Sequence, residues 1–172
     1  MTERTPPPSP PPVSPRAPRP ARPMRTGSDA SRPQPRRLSR EFVLQGLYEF
    51  LLAGHDPALI RAAAERDPGF RKCDAVLYRE LWAGVHAERE TLAAALAPFL
   101  DRPWPEVSPI ERSILLLGAY ELAHRLDIPW RVAINEAVEL AKSYGGTDGY
   151  RWVNGVLDNF APTVRADELA SR

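Results

Sequence analysis

The chain has 172 residues, 43% hydrophobic and 26% charged, enough for one ordinary core and, at the usual domain size, one domain. Its single cysteine, Cys73, cannot close an intramolecular disulfide, and no N-terminal apolar stretch has signal-peptide or membrane-spanning length, so the reading is a cytoplasmic protein with no membrane partner. The formal net charge of +1 conceals an asymmetry: the first 40 residues hold nine arginines against two acids, and the remainder holds fourteen basic against twenty acidic residues, as for a polyanion-binding arm on a mildly acidic body.

Residues 1–35 carry twelve of the twenty prolines with scattered arginine and serine and almost no large apolar side chains. Such a segment cannot bury enough surface to offset the entropy of ordering, and it reads as a disordered, basic, polyproline-like leader. Residues 36–165 read as the folded domain and 166–172 as a C-terminal tail. From Leu38 onward Phe42, Val43, Leu47, Phe50 and Leu51 recur at helical spacing, with Arg36, Arg37 and Arg40 at the entrance and Gly54 where a helix would end. Asp56-Pro57 supplies a cap followed by proline at the first helical position, opening a short helix to about Arg66 that stops at Asp67-Pro68-Gly69.

Between Asp74 and Phe99, Val76, Leu77, Leu81, Trp82, Val85, Leu92, Leu96 and Phe99 form an apolar stripe, the pattern of a long amphipathic helix or of two end to end, closed by Pro98 and Pro103. Ser108-Pro109-Ile110-Glu111 is a start signal, because Ser108 can cap the free backbone donors, Pro109 loses none, and Glu111 can reach back to complete a capping box. The run Ile114 to Leu117 should be buried. Asp127-Ile128-Pro129 ends that helix and begins another, Trp130 to about Tyr144, which Gly145-Gly146 ends; a last helix runs from Thr147 or Asp148 to Phe160, stopped by Pro162. No segment alternates like a strand, so the expected fold is all-α, a compact bundle of about six or seven helices.

Catalytic constellations are missing: there is no Walker-type phosphate loop, no His-Glu-x-x-His, no Cys-x-x-Cys and no nucleophile elbow. Gly145-Gly146-Thr147 lacks the lysine and the preceding strand of a phosphate loop and reads as a helix-ending turn. His55, His86 and His124 are not spaced with other ligands, so no metal site is assigned; Cys73 has Arg71 and Lys72 beside it, which could lower its pKa, but no histidine partner, and receives no role. The arginines at the first helix are the feature that asks for a partner, since several guanidinium groups within one turn could face a strip of phosphate backbone. Composition alone leaves open whether that segment is merely solvated. Single-stranded RNA is held by phosphate contacts together with stacked bases, and Tyr48 and Tyr144 are the aromatic candidates, although core packing is the commoner fate of an isolated aromatic.

Arg36-Arg37-Leu38-Ser39-Arg40-Glu41 with Gln45-Gly46-Leu47-Tyr48, and above all Ile128-Pro129-Trp130-Arg131-Val132-Ala133-Ile134-Asn135-Glu136-Ala137-Val138-Glu139-Leu140-Ala141-Lys142-Ser143-Tyr144-Gly145, resemble the NusB family of transcription antitermination proteins. Leu81-Trp82-Ala83-Gly84-Val85, Ser108-Pro109-Ile110-Glu111-Arg112 and Arg151-Trp152-Val153-Asn154-Gly155-Val156-Leu157-Asp158 extend the likeness in order over about residues 36–165. The resemblance implies a helical, non-catalytic adaptor without cofactor or metal. Such an adaptor binds boxA RNA of nascent ribosomal transcripts together with ribosomal protein S-ten (NusE), within the RNA polymerase antitermination complex. It also implies RNA-binding roles for Arg36, Arg37, Arg40, Tyr48, Tyr144 and Asp148, and a partner-binding role for Glu111. Leu38 interrupts the family's arginine run, Trp130 and Trp152 stand where smaller aromatics are usual, and the leader has no counterpart in the family pattern. The same fold also resembles the N-terminal part of ribosomal-RNA methyltransferases, so an accessory to RNA methylation, or a purely protein-binding bundle, are the alternatives.

Overall fold

The computed structural model describes residues 34–170, and the leader expected over 1–35 therefore lies, up to residue 33, outside the described residues. Those described form seven α-helices and no strand: α1 (Pro35–Ala53), α2 (Pro57–Arg66), α3 (Ala75–Leu96), α4 (Pro109–His124), α5 (Trp130–Tyr144), α6 (Gly149–Val164) and α7 (Ala166–Ala170), with 3-10 turns at Pro68–Lys72, Ala97–Phe99 and Trp104–Glu106.

Local signals set most of the boundaries. The Asp56 carboxylate accepts the Ala58 N–H at 2.7 Å to open α2, and the Asp74 carboxylate accepts the Leu77 N–H at 3.0 Å to open α3. Gly54 ends α1 at φ 66°, the left-handed conformation that glycine adopts without a Cβ clash. At α4 the Ser108 hydroxyl accepts the Glu111 N–H and donates to the Glu111 carboxylate at 2.7 Å, so the glutamate reaches back to the capping side chain.

Three features depart from the expected pattern. The stop at Asp67-Pro68-Gly69 is followed by a 3-10 turn that inserts Phe70 between Phe42 and Tyr78, with ring centroids 5.3 and 4.9 Å away. Pro162 does not stop α6, which runs on to Val164, because a proline in the final turn forfeits only one intrahelical bond before the helix ends anyway. Beyond it α7 forms, and Glu168 on that helix accepts the Trp130 N–H at the start of α5 and pairs with Arg165 at 2.6 Å.

The centre of the bundle is α4. Ser113 through Leu122 are all buried, so the helix is covered on every side: α1 and α3 pack on one flank and α5 and α6 on the other. Its fully enclosed leucines, Leu115, Leu116, Leu117 and Leu122, each contribute about 1.5–3 kcal/mol by burial. α3 can approach this closely because Gly84 faces Tyr120, where a Cβ would stand 2.1 Å from the phenolic oxygen. The C-terminal end of α4 is closed by a buried arginine from the end of α6: Arg165 donates to the carbonyls of Leu122 (2.6 Å) and Ile128 (3.1 Å), and adds a second donor to those of Arg125 (2.7 Å) and Glu121 (3.3 Å), which already accept backbone N–H groups.

Candidate nucleic-acid interface

The three arginines at the start of α1 do not share one strip of surface, which corrects the expectation drawn from their spacing. A helix turns about 100° per residue, so Arg40 lies about 40° from Arg36, on one stripe, and about 60° from Arg37, and the burial of Arg40 between the two breaks the strip. Arg40 is 5% exposed: its Nε donates to both Glu121 carboxylate oxygens (2.9 and 3.1 Å) and its Nη2 to one of them at 2.7 Å, while Nη1 reaches Glu136 at 3.4 Å. Burial alone would lower the guanidinium pKa, but the bonds and charge of Glu121 more than offset it and hold the Arg40 pKa above the ordinary arginine value. Burial likewise pushes the Glu121 carboxyl up, against the pull of Arg40. A side chain so enclosed belongs to the α1–α4–α5 core and is withdrawn from phosphate, so the RNA-binding role implied for Arg40 is not available to it in this geometry.

Arg36, one turn earlier on that stripe, is exposed. Its charge joins Arg125, whose hydrogen bond is the main cause, in holding the Asp127 carboxyl down at about 2. Arg37 crosses to α5, where Nη2 donates to the Ser143 hydroxyl at 3.3 Å; its other nitrogens lie 3.5 Å from Glu41 and 3.9 Å from Glu139. Tyr48, half-buried, lies three turns along the same face of α1 as Arg37, about 16 Å away at 1.5 Å per residue.

From Arg37 the surface continues across the end of α5 onto the start of α6. Glu139 also holds Lys142, at 2.8 Å, and the Lys142 ammonium stands 5.5 Å from the Tyr150 ring centroid. Arg151 donates from Nε to the Tyr150 hydroxyl at 3.1 Å and lies 3.7 Å from the Asp148 carboxylate. Asp148 is the sole non-glycine residue at positive φ (62°) among those described; it occupies the capping position of α6, yet its side chain makes no cap and stays exposed. Tyr144, at the end of α5, is half-buried with its ring against the core. Glu111 comes against the same corner from α4, since a Cβ on Gly149 would sit 3.0 Å from its Oε1.

The structure thus brings Asp148 and Glu111 together where α5 ends and α6 begins, with Arg37 joined to that corner across the end of α5, sets Tyr48 farther along α1, leaves Arg36 toward the α4–α5 turn and takes Arg40 inside. The sequence reading missed Lys142, Ser143, Tyr150 and Arg151. Their signal was modest: polar and aromatic residues on either side of Gly145-Gly146, at positions the apolar stripe of each helix leaves outside. Elsewhere, His55 pairs with Glu49 and His124 with Glu88, and among the described residues no group of three potential metal ligands comes together. Burial pushes the Cys73 thiol up, opposite to what its basic neighbours suggested. No described helix is long and apolar enough to cross a membrane.

The NusB family model matches residues 37–162. The transcription antitermination protein NusB of Thiobacillus denitrificans is 54% identical over 134 residues, covering 78% of this chain and 92% of the relative, and that of Ralstonia nicotianae is 53% identical over 137 residues, covering 80% and 88%. Among solved structures, T. maritima NusB superposes with a TM-score of 0.70 at 26% identity, over 79% of this chain and 97% of that one. A chain from a complex of antitermination factors NusB and NusE with double-stranded RNA shares the fold at a TM-score of 0.67 and 21% identity, over 74% and 96%.

Proposed function

This chain belongs to the NusB family, and from that premise we propose that it is a non-catalytic antitermination adaptor that binds boxA RNA of nascent ribosomal transcripts together with ribosomal protein S-ten (NusE), as part of the RNA polymerase antitermination complex. The observation that carries the reading is the continuous polar and aromatic surface from Arg37 through Ser143 and Lys142 to Tyr150, Arg151 and Asp148. Such a surface has the parts that single-stranded RNA recognition uses. On it Arg37 neutralises phosphate, Tyr144 meets an unstacked base and Asp148 accepts from a base amino group, which reads sequence where phosphate contacts cannot; Arg36, toward the α4–α5 turn, and Tyr48, farther along α1, extend the phosphate and base contacts beyond that surface. Glu111, on the adjoining start of α4, faces the partner protein.

Binding of the two partners is cooperative in this reading, each raising affinity for the other by the same factor. Fluorescence anisotropy of boxA RNA against a scrambled RNA of equal length, with and without the ribosomal protein, across a salt series, tests it. A preference for boxA that sharpens when the protein partner is added supports the adaptor. Tight binding that is indifferent to sequence and collapses with salt would refute it. The leader, with its six arginines before residue 34 against two acids, adds sequence-indifferent attraction for phosphate. Its deletion should lower the salt slope while leaving the preference for boxA intact, and an unchanged affinity and slope would remove it from the binding account.

A further inference from the structure

Tyr150 stands at the margin of the core with exposed charged side chains gathered on it. It is half-buried, with one part of the ring against the core, in the first turn of α6 and two residues after the left-handed Asp148. Two cations from different helices converge on it: the Lys142 ammonium of α5 lies 5.5 Å from the ring centroid and the Arg151 guanidinium of α6 lies 5.6 Å from it. Its hydroxyl accepts the Arg151 Nε at 3.1 Å. Each cation is steered in turn by a carboxylate, Lys142 by Glu139 at 2.8 Å and Arg151 by Asp148 at 3.7 Å, and all four charged side chains remain substantially exposed, Arg151 most of all at 72%. Pairs as exposed as these add little to stability, so the arrangement is poorly explained as a brace.

We propose that Tyr150, Lys142 and Arg151 form a one-nucleotide subsite, in which an unstacked base of single-stranded RNA lies on the Tyr150 ring and the phosphates on either side of that base meet Lys142 and Arg151. The inference rests on the RNA-binding reading above and adds to it residues outside the family-implied set. Its chemistry follows from the ligand. A nucleotide carries a flat, polarisable base and a strand of negative charge, so a ring with two cations over it meets both parts once the phosphates draw those cations outward and the base takes their place. Asp148, released from capping its own helix, stands beside the ring, where its oxygens can accept from an exocyclic amino group. The site therefore favours adenine, guanine or cytosine over uracil, which lacks that donor. When phosphate arrives, Glu139 and Asp148 give up their hold on the two cations, which costs little because the pairs are exposed.

The test uses the full-length protein and boxA-length RNAs carrying 2-aminopurine at one position at a time. Binding by the wild-type chain should change the fluorescence at each position whose base meets a ring, one of them belonging to Tyr150 and the others to Tyr48 and Tyr144. In Tyr150→Ala the signal should vanish at one position only and affinity should fall roughly tenfold or more, the loss of one base–aromatic stack, while Tyr150→Phe keeps both. Lys142→Gln should lower the salt slope by about 0.7, one phosphate contact on a single strand, without moving the position of the signal. Circular dichroism melts establish that each variant is folded. Wild-type binding with boxA preference, together with unchanged affinity and signal in Tyr150→Ala, would overturn the subsite and leave the adaptor reading standing. Failure of the wild-type chain to bind RNA would take down both.

Discussion

Replacing Arg40 with methionine separates a core role from a phosphate-binding role. The substitution keeps most of the side-chain volume but removes every donor to Glu121, whose side chain is 2% exposed and would be left as a buried carboxylate without its partner. At an effective dielectric constant near 20, unit charges about 4 Å apart attract by about 4 kcal/mol, and breaking one side of a buried pair costs about 3–5 kcal/mol. The urea midpoint should fall by that amount divided by the slope of the transition. Replacing Glu121 with methionine as well removes the stranded charge, and the double variant should recover to within about 1 kcal/mol of the wild-type chain. Folded Arg40→Met/Glu121→Met protein should then bind boxA RNA with the wild-type salt slope, whereas Arg37→Gln should lower it. Unfolding followed by circular dichroism at 222 nm and anisotropy across a salt series measure both quantities. A single variant that costs under 1 kcal/mol, or a double variant whose slope drops as far as that of Arg37→Gln, would refute the burial argument and return Arg40 to the RNA face.

Removal of the Arg165 guanidinium in Arg165→Met leaves the Leu122 and Ile128 carbonyls without that buried donor and takes one bond from each of the Arg125 and Glu121 carbonyls, and should destabilise by about 2–3 kcal/mol in the same denaturation assay. Two glycine replacements should move stability in opposite directions: Gly84→Ala drives a methyl into the Tyr120 ring and should cost about 1–3 kcal/mol, while Gly155→Ala, with nothing within 4 Å of the new Cβ in mid-helix, should add about 0.5–1 kcal/mol. The Asp127 carboxyl is depressed in the folded chain, chiefly by Arg125, so its contribution to stability is present above the ordinary aspartate pKa near 4 and is lost as pH falls through about 2. The urea midpoint of wild-type protein should therefore drop over that window more steeply than that of Asp127→Asn; parallel curves would show that the ion pair contributes nothing.

Much of this protein is decided within a few residues of chain. Asp56-Pro57, Asp74, Ser108-Pro109 and Gly54 start and stop helices because caps and turn conformations depend on neighbouring backbone groups, which sequence order already places. The all-α character and the burial of Ile114 to Leu117 follow in the same way from apolar periodicity, and the ordered motifs over residues 36–165 are sufficient to point to the family. The local rules failed where an element depends on something distant. Phe70 makes a 3-10 turn out of an expected stop because Phe42 and Tyr78 leave a place for its ring, and Arg165 ends up inside because carbonyls some 40 residues earlier in the chain need donors. The candidate site shows the same division. Three arginines within one turn look equivalent in sequence, yet Glu121, 81 residues away, takes Arg40 into the core, α5 takes Arg37, and Arg36 alone is left exposed. Tyr150 acquires its two cations only when the end of α5 meets the start of α6. Residue type and spacing determine which helices form and which face is apolar; whether a charge meets a carboxylate or solvent depends on which distant side chain the packing of those helices brings within reach.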